Sequence, residues 1–576
     1  MADVSLGKLY KKLWLHIELN HKIKLFLLII FMVFSSIVEA LSIGSIIPFV
    51  AVLISPDSIS NFKFLENFHL FINNFFNLSS QTLYTIIFIS LITFSSLIKI
   101  VVVYFQTKFS FNLGKFISNK IFKKILHQPY IYHVNTTSSD LISTIKEKSV
   151  QVINKVVLPL CNIFSGVLLI LSASVILFFI NFKTTFIIFF FIIFFYLIVI
   201  LFIKKKLKSF SKIQSRLNVD LIKFIQESLG NIKQVILNNS QDFLNIIFSN
   251  TNNRLRNAEA NLVIISNLPK YLLEGFLIIF VALFFYTLHL NSVNLIDYIP
   301  IASAIALSAQ KILPLLHLIY GSISTILGNR DSFNDSIILL ENSINEKIYD
   351  SNNNHFYFNE TIKLKNISFK YKSTMILKNI NLDIKKGEMI GVIGKTGSGK
   401  STLVNLITGL LLPTSGEILI DEIVMKEANM LNWYKNISYI PQNIYLINES
   451  IKENIALYKS KNEISDYKIN EIINIVQLDG LIGGLKDGIE SKVGENGSLI
   501  SGGQKQRIGI CRGLYEDKEL LILDESTNSL DKELEKKILN QILSNKLNKT
   551  VIMITHNTSL MSLCDSIYEL IDGSLI

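Results

Sequence analysis

Gly394-Lys395-Thr396-Gly397-Ser398-Gly399-Lys400-Ser401 follows the apolar run Met389 to Ile393 and leads into a helical stretch beginning at Thr402. Strand, glycine-rich loop and helix in that order make a P-loop in its required context. Gly394, Gly397 and Gly399 let backbone N–H groups, including that of Ser398, close around phosphates. The helix start at Thr402 adds positive potential, Lys400 reaches the β and γ phosphates, and Ser401 ligates Mg²⁺. A second apolar run, Leu520 to Leu523, ends in Asp524-Glu525. Asp524 suits the magnesium shell, and Glu525 suits a general base or water-orienting group for attack on the γ-phosphate. These runs, with Ile437 to Ile440 and Thr550 to Ile554, alternate with helical segments, the pattern of an α/β sheet domain.

Upstream the chemistry of the chain changes. Of 576 residues 50% are apolar, 40 are Phe and only 18% are charged, and the mean hydropathy of +0.42 excludes a disordered chain. Six stretches approach the ~20 residues needed to cross a bilayer: about Leu25 to Phe49, Leu83 to Phe105, Val156 to Ile180, Thr184 to Ile203, Leu262 to Leu288 and Ile299 to Leu318. The first is no cleaved signal, because apolar sequence resumes past Glu39, and Leu6 to Ile17 before it reads as an interfacial helix. Lys108, Lys115, Lys120, Lys123 and Lys124 in one connection, and Lys204, Lys205, Lys206, Lys208 and Arg216 in another, put both connections and both termini on the cytoplasmic side. Both run to about 50 residues and read as helical, so the spans are expected to continue into the cytoplasm.

The expected fold is a helical transmembrane domain of six spans (residues 1–330), a polar linker (331–355) that includes Ser351 to Asn354, and an α/β P-loop nucleotide-binding domain (356–576). Cys161, Cys511 and Cys564 stand too far apart for a disulfide framework or zinc cluster. The net charge of +11 would also suit nucleic acid, but the spans argue for a membrane face and phosphate-bearing ligands, and no nucleic-acid partner is expected.

Ile500-Ser501-Gly502-Gly503-Gln504, before a helix opening with Lys505, Gln506 and Arg507, resembles the signature of ATP-binding-cassette proteins, with Ile500 for the usual Leu. The resemblance extends in order through Tyr371, Gln442, the X-loop Val493-Gly494-Glu495-Asn496-Gly497, the D-loop Asn528-Ser529-Leu530-Asp531 and His556. It implies that Tyr371 stacks on adenine, that Gln442 serves both the metal and catalysis, and that His556 is the switch histidine. It further implies that Ser501, Gly502, Gly503 and Gln504 cover the ATP of another subunit, so the chain is half of a homodimeric exporter. Coupling helices are expected near Tyr130 to Thr137 and Asn238 to Ile247. Asn528, Ser529 and Asn557 depart from the usual Ser, Ala and Arg.

Val38-Glu39-Ala40, Ile47-Pro48-Phe49, Pro269 to Gly275, Lys311 to Pro314, Ile440 to Leu446 and the aromatic external segment Asn61 to Phe76 are similar to PglK-type lipid-linked oligosaccharide flippases. On that resemblance Lys99, Lys270 and Lys311 stand where the family has cavity arginines, and Leu318, beside His317, replaces a further basic position. Ionisable groups inside spans are costly and so are functional candidates, though Lys270 and Glu274 at i, i+4 also fit a self-neutralising pair. The expected activity is ATP-driven transfer of an undecaprenyl-pyrophosphate-linked oligosaccharide between leaflets of a bacterial inner membrane, for protein N-glycosylation. The alternative is export of drugs or other lipids by the same architecture.

Overall fold

The computed structural model describes residues 6–54, 79–148, 152–180, 182–290, 299–341, 357–544 and 549–576. The chain forms two compact units, Met1–Gln128 with Asn135–Ile344, and Pro129–Val134 with Asn345–Ile576. The expected external segment 61–76, the connection 291–298, the turn residue Asn181 and the stretch 351–354 lie outside the described residues.

Helices carry the first unit. Ser80–Leu126, Phe182–Gly230 and Gln241–Leu290 have 47, 49 and 50 residues. At 1.5 Å per residue each is roughly 70–75 Å long, more than twice the ~30 Å hydrocarbon core of a bilayer, so each leaves the membrane as an unbroken helix. Among the described residues, Leu19–Leu53, Gln81–Leu126, Ile153–Ile176 and Gln310–Gly328 are long and apolar enough to cross a membrane. The fourth and fifth expected spans lie inside Phe182–Gly230 and Gln241–Leu290, and the sixth inside Ile299–Gly328.

Small residues set how closely these helices approach. A Cβ on Gly166 would stand 2.8 Å from Ile319, so only glycine lets Leu158–Ile180 and Ile299–Gly328 come this near. Proline adds a second constraint. Pro269 lies inside Gln241–Leu290 and cannot donate to the carbonyl four residues back. That carbonyl, on Ile265, instead accepts from the Tyr320 hydroxyl of the next helix at 3.2 Å.

The polar linker begins later than its composition suggests. Arg330–Glu341 is a helix that buries Phe333, Ile337 and Leu340, a one-sided stripe at i, i+4, i+7 hidden among polar neighbours. It meets the N-terminal helix Leu6–His16, whose Leu9 and Leu13 are buried, through Tyr10 and Phe333 with ring centroids 5.4 Å apart and through Lys12 and Glu341 at 2.7 Å. The second expected coupling segment also shifts. A short helix spans Ile232–Leu237, Asn239 turns the chain at φ +51°, and the long helix has started by Gln241.

The second unit includes Pro129–Val134, most of the short helix Tyr130–Asn135 on which the first coupling segment was expected. Its strands are β1 (Thr361–Tyr371), β2 (Thr374–Lys385), β3 (Met389–Ile393), β4 (Ser415–Ile420), β5 (Ile423–Val424), β6 (Ile437–Ile440), β7 (Leu520–Asp524), β8 (Thr550–Ile554), β9 (Ser566–Ile571) and β10 (Ser574–Leu575). One sheet runs β2-β1-β4-β5 and the other β10-β9-β3-β8-β7-β6. The first is antiparallel, and β9-β3-β8-β7-β6 are parallel. Side chains alternate across the parallel strands as their period of two requires. Leu521, Leu523, Val551 and Met553 face one core with Ile508 and Cys511. Leu520, Ile522, Ile552 and Ile554 face the other with Leu403, Val404 and Ile407 of the P-loop helix.

Trp433 anchors the second core. It is fully buried, meets Phe358 edge-on at 6.0 Å, and donates to the carbonyl of Ile407 at 2.9 Å. Trp433→Ala should cost about 3–5 kcal/mol and bring forward thermal unfolding of this unit, with Trp433→Phe recovering part of the loss. An unchanged melting curve for the alanine variant would remove Trp433 from this role.

Candidate functional site

Strand β3 is buried along Met389 to Val392 and delivers the chain directly into the P-loop. Gly394 turns at φ +151°, where a Cβ would stand 2.5 Å from the Leu570 carbonyl oxygen. Gly399, at φ +109°, is the N-cap of helix Lys400–Ile407 and leaves its first turn without a side-chain cap. Backbone N–H groups at such a helix start are unpaired donors beside a positive dipole end, which is an anion site. Lys400, only 6% exposed, lies under the loop and donates to the carbonyls of Gly394 at 2.7 Å and Lys395 at 3.1 Å. The Ser398 hydroxyl is buried without a hydrogen-bond partner. Ser401 is exposed and Thr402 buried at the head of the helix. A buried ammonium, a helix start without a side-chain cap and an orphan hydroxyl together fit a nucleoside triphosphate.

The acidic pair comes from the end of β7. Register holds Asp524 opposite Ile554 of β8, and the next N–H, that of Glu525, donates to the Ile554 carbonyl at 3.0 Å. This hydrogen bond goes with a left-handed Glu525 at φ +48°, a conformation that costs a non-glycine residue energy and recurs at active sites. The Glu525 carboxylate gathers three partners: His556 Nε2 at 2.8 Å, Gln442 Nε2 at 2.5 Å and Asn528 Nδ2 at 3.3 Å. Asp524 accepts from the Tyr439 hydroxyl at 2.9 Å. Burial above all, with the Glu525 charge adding to it, pushes the Asp524 carboxyl up, while Tyr439 and Lys400 pull it down. Burial, and then the Asp524 charge, raise the Tyr439 phenol, so it remains a donor at neutral pH.

Gln442, Asp524, Glu525 and His556 therefore converge from three strand ends, as their sequence contexts suggested. Tyr439 joins them as a contact the motifs did not single out, and Asn528 joins them from the D-loop. A carboxylate held by an amide and an imidazole can accept a proton from an attacking water. The oxygen donors of Ser401, Gln442 and Asp524 fit magnesium, a hard cation that would neutralise charge on β and γ oxygens.

The signature segment is organised locally. Ser501 caps helix Gly502–Tyr515, its hydroxyl accepting from the Gln504 N–H while its own N–H donates to the Gln504 side chain. Lys505 donates to the Asn496 carbonyl and side chain, both at 3.0 Å, and the Ser529 N–H donates to Gln506 at 2.7 Å. One helix start is thus tied to both the X-loop and the D-loop. A Cβ on Gly503 would stand 3.1 Å from the Ser529 carbonyl. Tyr371 packs edge-on to Phe369 at 4.9 Å, its hydroxyl within reach of Thr402 and Asn405. After His556, Asn557 donates to buried Glu535 at 2.9 Å.

In the membrane unit Lys99 and Lys311 both act on the Glu39 carboxylate, and Lys270 stands on another helix. Lys99 is exposed on its helix. Lys270 lies over the Tyr271 ring at 5.6 Å. Lys311 pairs with Glu39 at 3.0 Å, so its charge already has a counter-ion. Leu318 is exposed, and the Nε2 of neighbouring His317 is buried without a partner.

A family model described as ABC transporter transmembrane region matches residues 22–310, and one described as ABC transporter matches 377–528. An ATP-dependent lipid A-core flippase of Wigglesworthia glossinidia brevipalpis is 40% identical over 217 residues, 37% of each chain. The flippase of that name from Ralstonia nicotianae is 24% identical over 465 residues, 79% of this chain and 77% of its own. The leukotoxin export ATP-binding protein LtxB of Aggregatibacter actinomycetemcomitans is 39% identical over 222 residues, 37% of this chain and 30% of its own. The matches to the Wigglesworthia and Aggregatibacter proteins thus span well under half of those relatives' lengths. In fold the chain is similar to a bacterial Atm1-family ABC exporter with ATP bound, with a TM-score of 0.76, 20% identity and 94% of each chain covered.

Glu525→Gln keeps the shape of the side chain and removes its basicity. The variant should still bind ATP while hydrolysis falls at least about a hundredfold, the range of a lost general base. Steady-state hydrolysis at the normal rate would show that Glu525 is not the base.

Proposed function

The chain belongs to the ABC transporter family, and from that premise we propose that two copies form an exporter that flips an anionic lipid at the expense of ATP. The cargo on this reading is an undecaprenyl-pyrophosphate-linked oligosaccharide, moved from the cytoplasmic to the periplasmic leaflet of a bacterial inner membrane. The observation that carries it is the set of cationic side chains, Lys99, Lys270 and Lys311, within helices that otherwise suit lipid. A neutral cargo gains nothing from charges that are costly to keep there, whereas a pyrophosphate needs them to replace part of its hydration. The unpartnered His317 nitrogen, on which the Lys270 charge acts, adds a polar group of the same use. A second reading, export of a different lipid, is favoured by the relatives named lipid A-core flippases.

The nucleotide chemistry follows the geometry of the second unit. ATP binds with its adenine against Tyr371 and its phosphates on the 394–402 loop and helix start. Ser501, Gly502, Gly503 and Gln504 of the partner subunit close over it, and Glu525 takes the proton of the attacking water while His556 and Gln442 hold its carboxylate. Closure reorients the spans, and hydrolysis resets them. The capped, exposed Ser501 helix start supports an intersubunit role, since its side-chain hydrogen bonds are local.

In a tandem-linked dimer, Ser501→Arg in one half should impair nucleotide trapping at the P-loop of the other half and spare its own. Trapping lost only at the mutated half's own P-loop would contradict the composite site. In liposomes, alanine at each of Lys99, Lys270 and Lys311 should slow flipping of labelled lipid-linked oligosaccharide by roughly tenfold per charge-assisted hydrogen bond lost, more steeply than it slows ATP hydrolysis. Arginine at the same positions should keep most of the rate, because it retains the charge and matches phosphate geometry. A triple alanine variant that still flips this lipid at the wild-type rate, or a wild type that moves only other lipids, would transfer the assignment to the second reading.

A further inference from the structure

Three helices of the membrane unit bring one acid, one base and two hydroxyls together. Glu39 comes from Leu19–Gly44, Ser95 from Ser80–Leu126 and Lys311 from Ile299–Gly328. The Lys311 ammonium lies 3.0 Å from Glu39 Oε1 and donates to the Ser42 hydroxyl at 2.9 Å, while the Ser95 hydroxyl donates to Glu39 Oε2. Glu39, Ser42 and Ser95 are all buried. Ser95 and Lys311 lie about 12 residues, roughly 18 Å, from the starts of their spans, and Glu39 about 14 residues, roughly 21 Å, from the opposite side, so the cluster sits near mid-membrane.

The two charged partners differ in access. The Lys311 side chain is 31% exposed and that of Glu39 only 11%. Lys311 is therefore the more accessible partner of the pair, and the carboxylate the more enclosed. Carboxylate and phosphate oxygens make the same demands on an ammonium, namely charge-assisted acceptance at short range.

We infer that Glu39 is a resident counter-ion that occupies Lys311 between transport cycles and yields it to the phosphate group of an arriving lipid. This rests on the reading of Lys311 as a cargo contact and adds to it a test of the cargo's charge. Removing Lys311 leaves the buried carboxylate with the Ser95 hydroxyl and the charge of Lys99, without its direct ion-pair partner, which is unfavourable. Only a headgroup that binds the ammonium more strongly than Glu39 does can separate the pair, so a neutral amphiphile cannot, and a singly charged one competes poorly with a pyrophosphate.

The test uses the full-length homodimer in phosphatidylcholine nanodiscs, with ATP hydrolysis followed against added undecaprenyl pyrophosphate and with undecaprenol as the uncharged control. The wild type should respond to the pyrophosphate and not to the alcohol. Glu39→Gln, an uncharged isostere that releases Lys311, should lower the half-stimulating concentration about tenfold at a similar maximal rate and let undecaprenyl monophosphate stimulate as well. The exchange Glu39→Lys with Lys311→Glu keeps an ion pair between the helices but presents the acid on the accessible side, and it should abolish stimulation. Normal stimulation in this exchange variant would mean that the pair only fastens the helices, and would overturn the inference even if Glu39→Gln failed to fold. An unchanged or raised half-stimulating concentration in a folded Glu39→Gln dimer would overturn it too, leaving Lys311 as a contact if Lys311→Ala still abolishes the response. A wild type indifferent to undecaprenyl pyrophosphate would overturn the cargo reading itself.

Discussion

Parallel register is the constraint on which the nucleotide-handling unit depends. Because β3, β6, β7 and β8 run in the same direction, their carboxyl ends share one edge, the place where open α/β sheets bind ligands. Four strands thereby bring in residues far apart in sequence: Gly394 after β3, Gln442 after β6, Glu525 after β7 and His556 after β8. One ladder step beyond β7, from the Glu525 N–H to the Ile554 carbonyl, goes with the left-handed turn of Glu525. The local cost of that backbone is met by burial along the strands, whose inner residues are almost wholly enclosed on both faces.

The membrane unit answers a different demand. Lipid offers no hydrogen bonds, so each polar group there needs a partner within the protein. The Glu39 cluster satisfies a charge in this way, and the Ile265 carbonyl is satisfied by Tyr320. Both solutions cross between helices, so polar satisfaction and helix packing are one problem in this unit.

What the sequence disclosed depended on the range of the interaction. The P-loop, the strand runs and the acidic pair were legible because strand, turn and helix each leave a local pattern of apolar period and glycine. Helix Arg330–Glu341 was hidden because Phe333, Ile337 and Leu340 stand among Asn, Asp and Ser, and the composition that marked a linker averages over the face that packs. The turn at Asn239, inside the segment where a coupling helix was expected, was not legible because no glycine or proline announces it. Tyr439 and Asp524 lie 85 positions apart, and a tyrosine in a short strand carries no mark of the carboxylate it meets. Lys311 was legible as a costly residue, whereas its pairing with Glu39 rests on the packing of the first and sixth spans, which periodicity does not specify.

The proline at 269 has a mechanical side. A helix of this length acts as a beam, and a proline lowers its bending stiffness at one point. Here the Tyr320 hydroxyl bridges that point from the neighbouring beam, so flexing the one loads the other. Torque entering at the distant end of Gln241–Leu290 is then shared with Ile299–Gly328 at the level of the proline. The phenol joins the packed side chains in coupling the two helices, which makes its oxygen a natural place to look for the axis about which this pair turns.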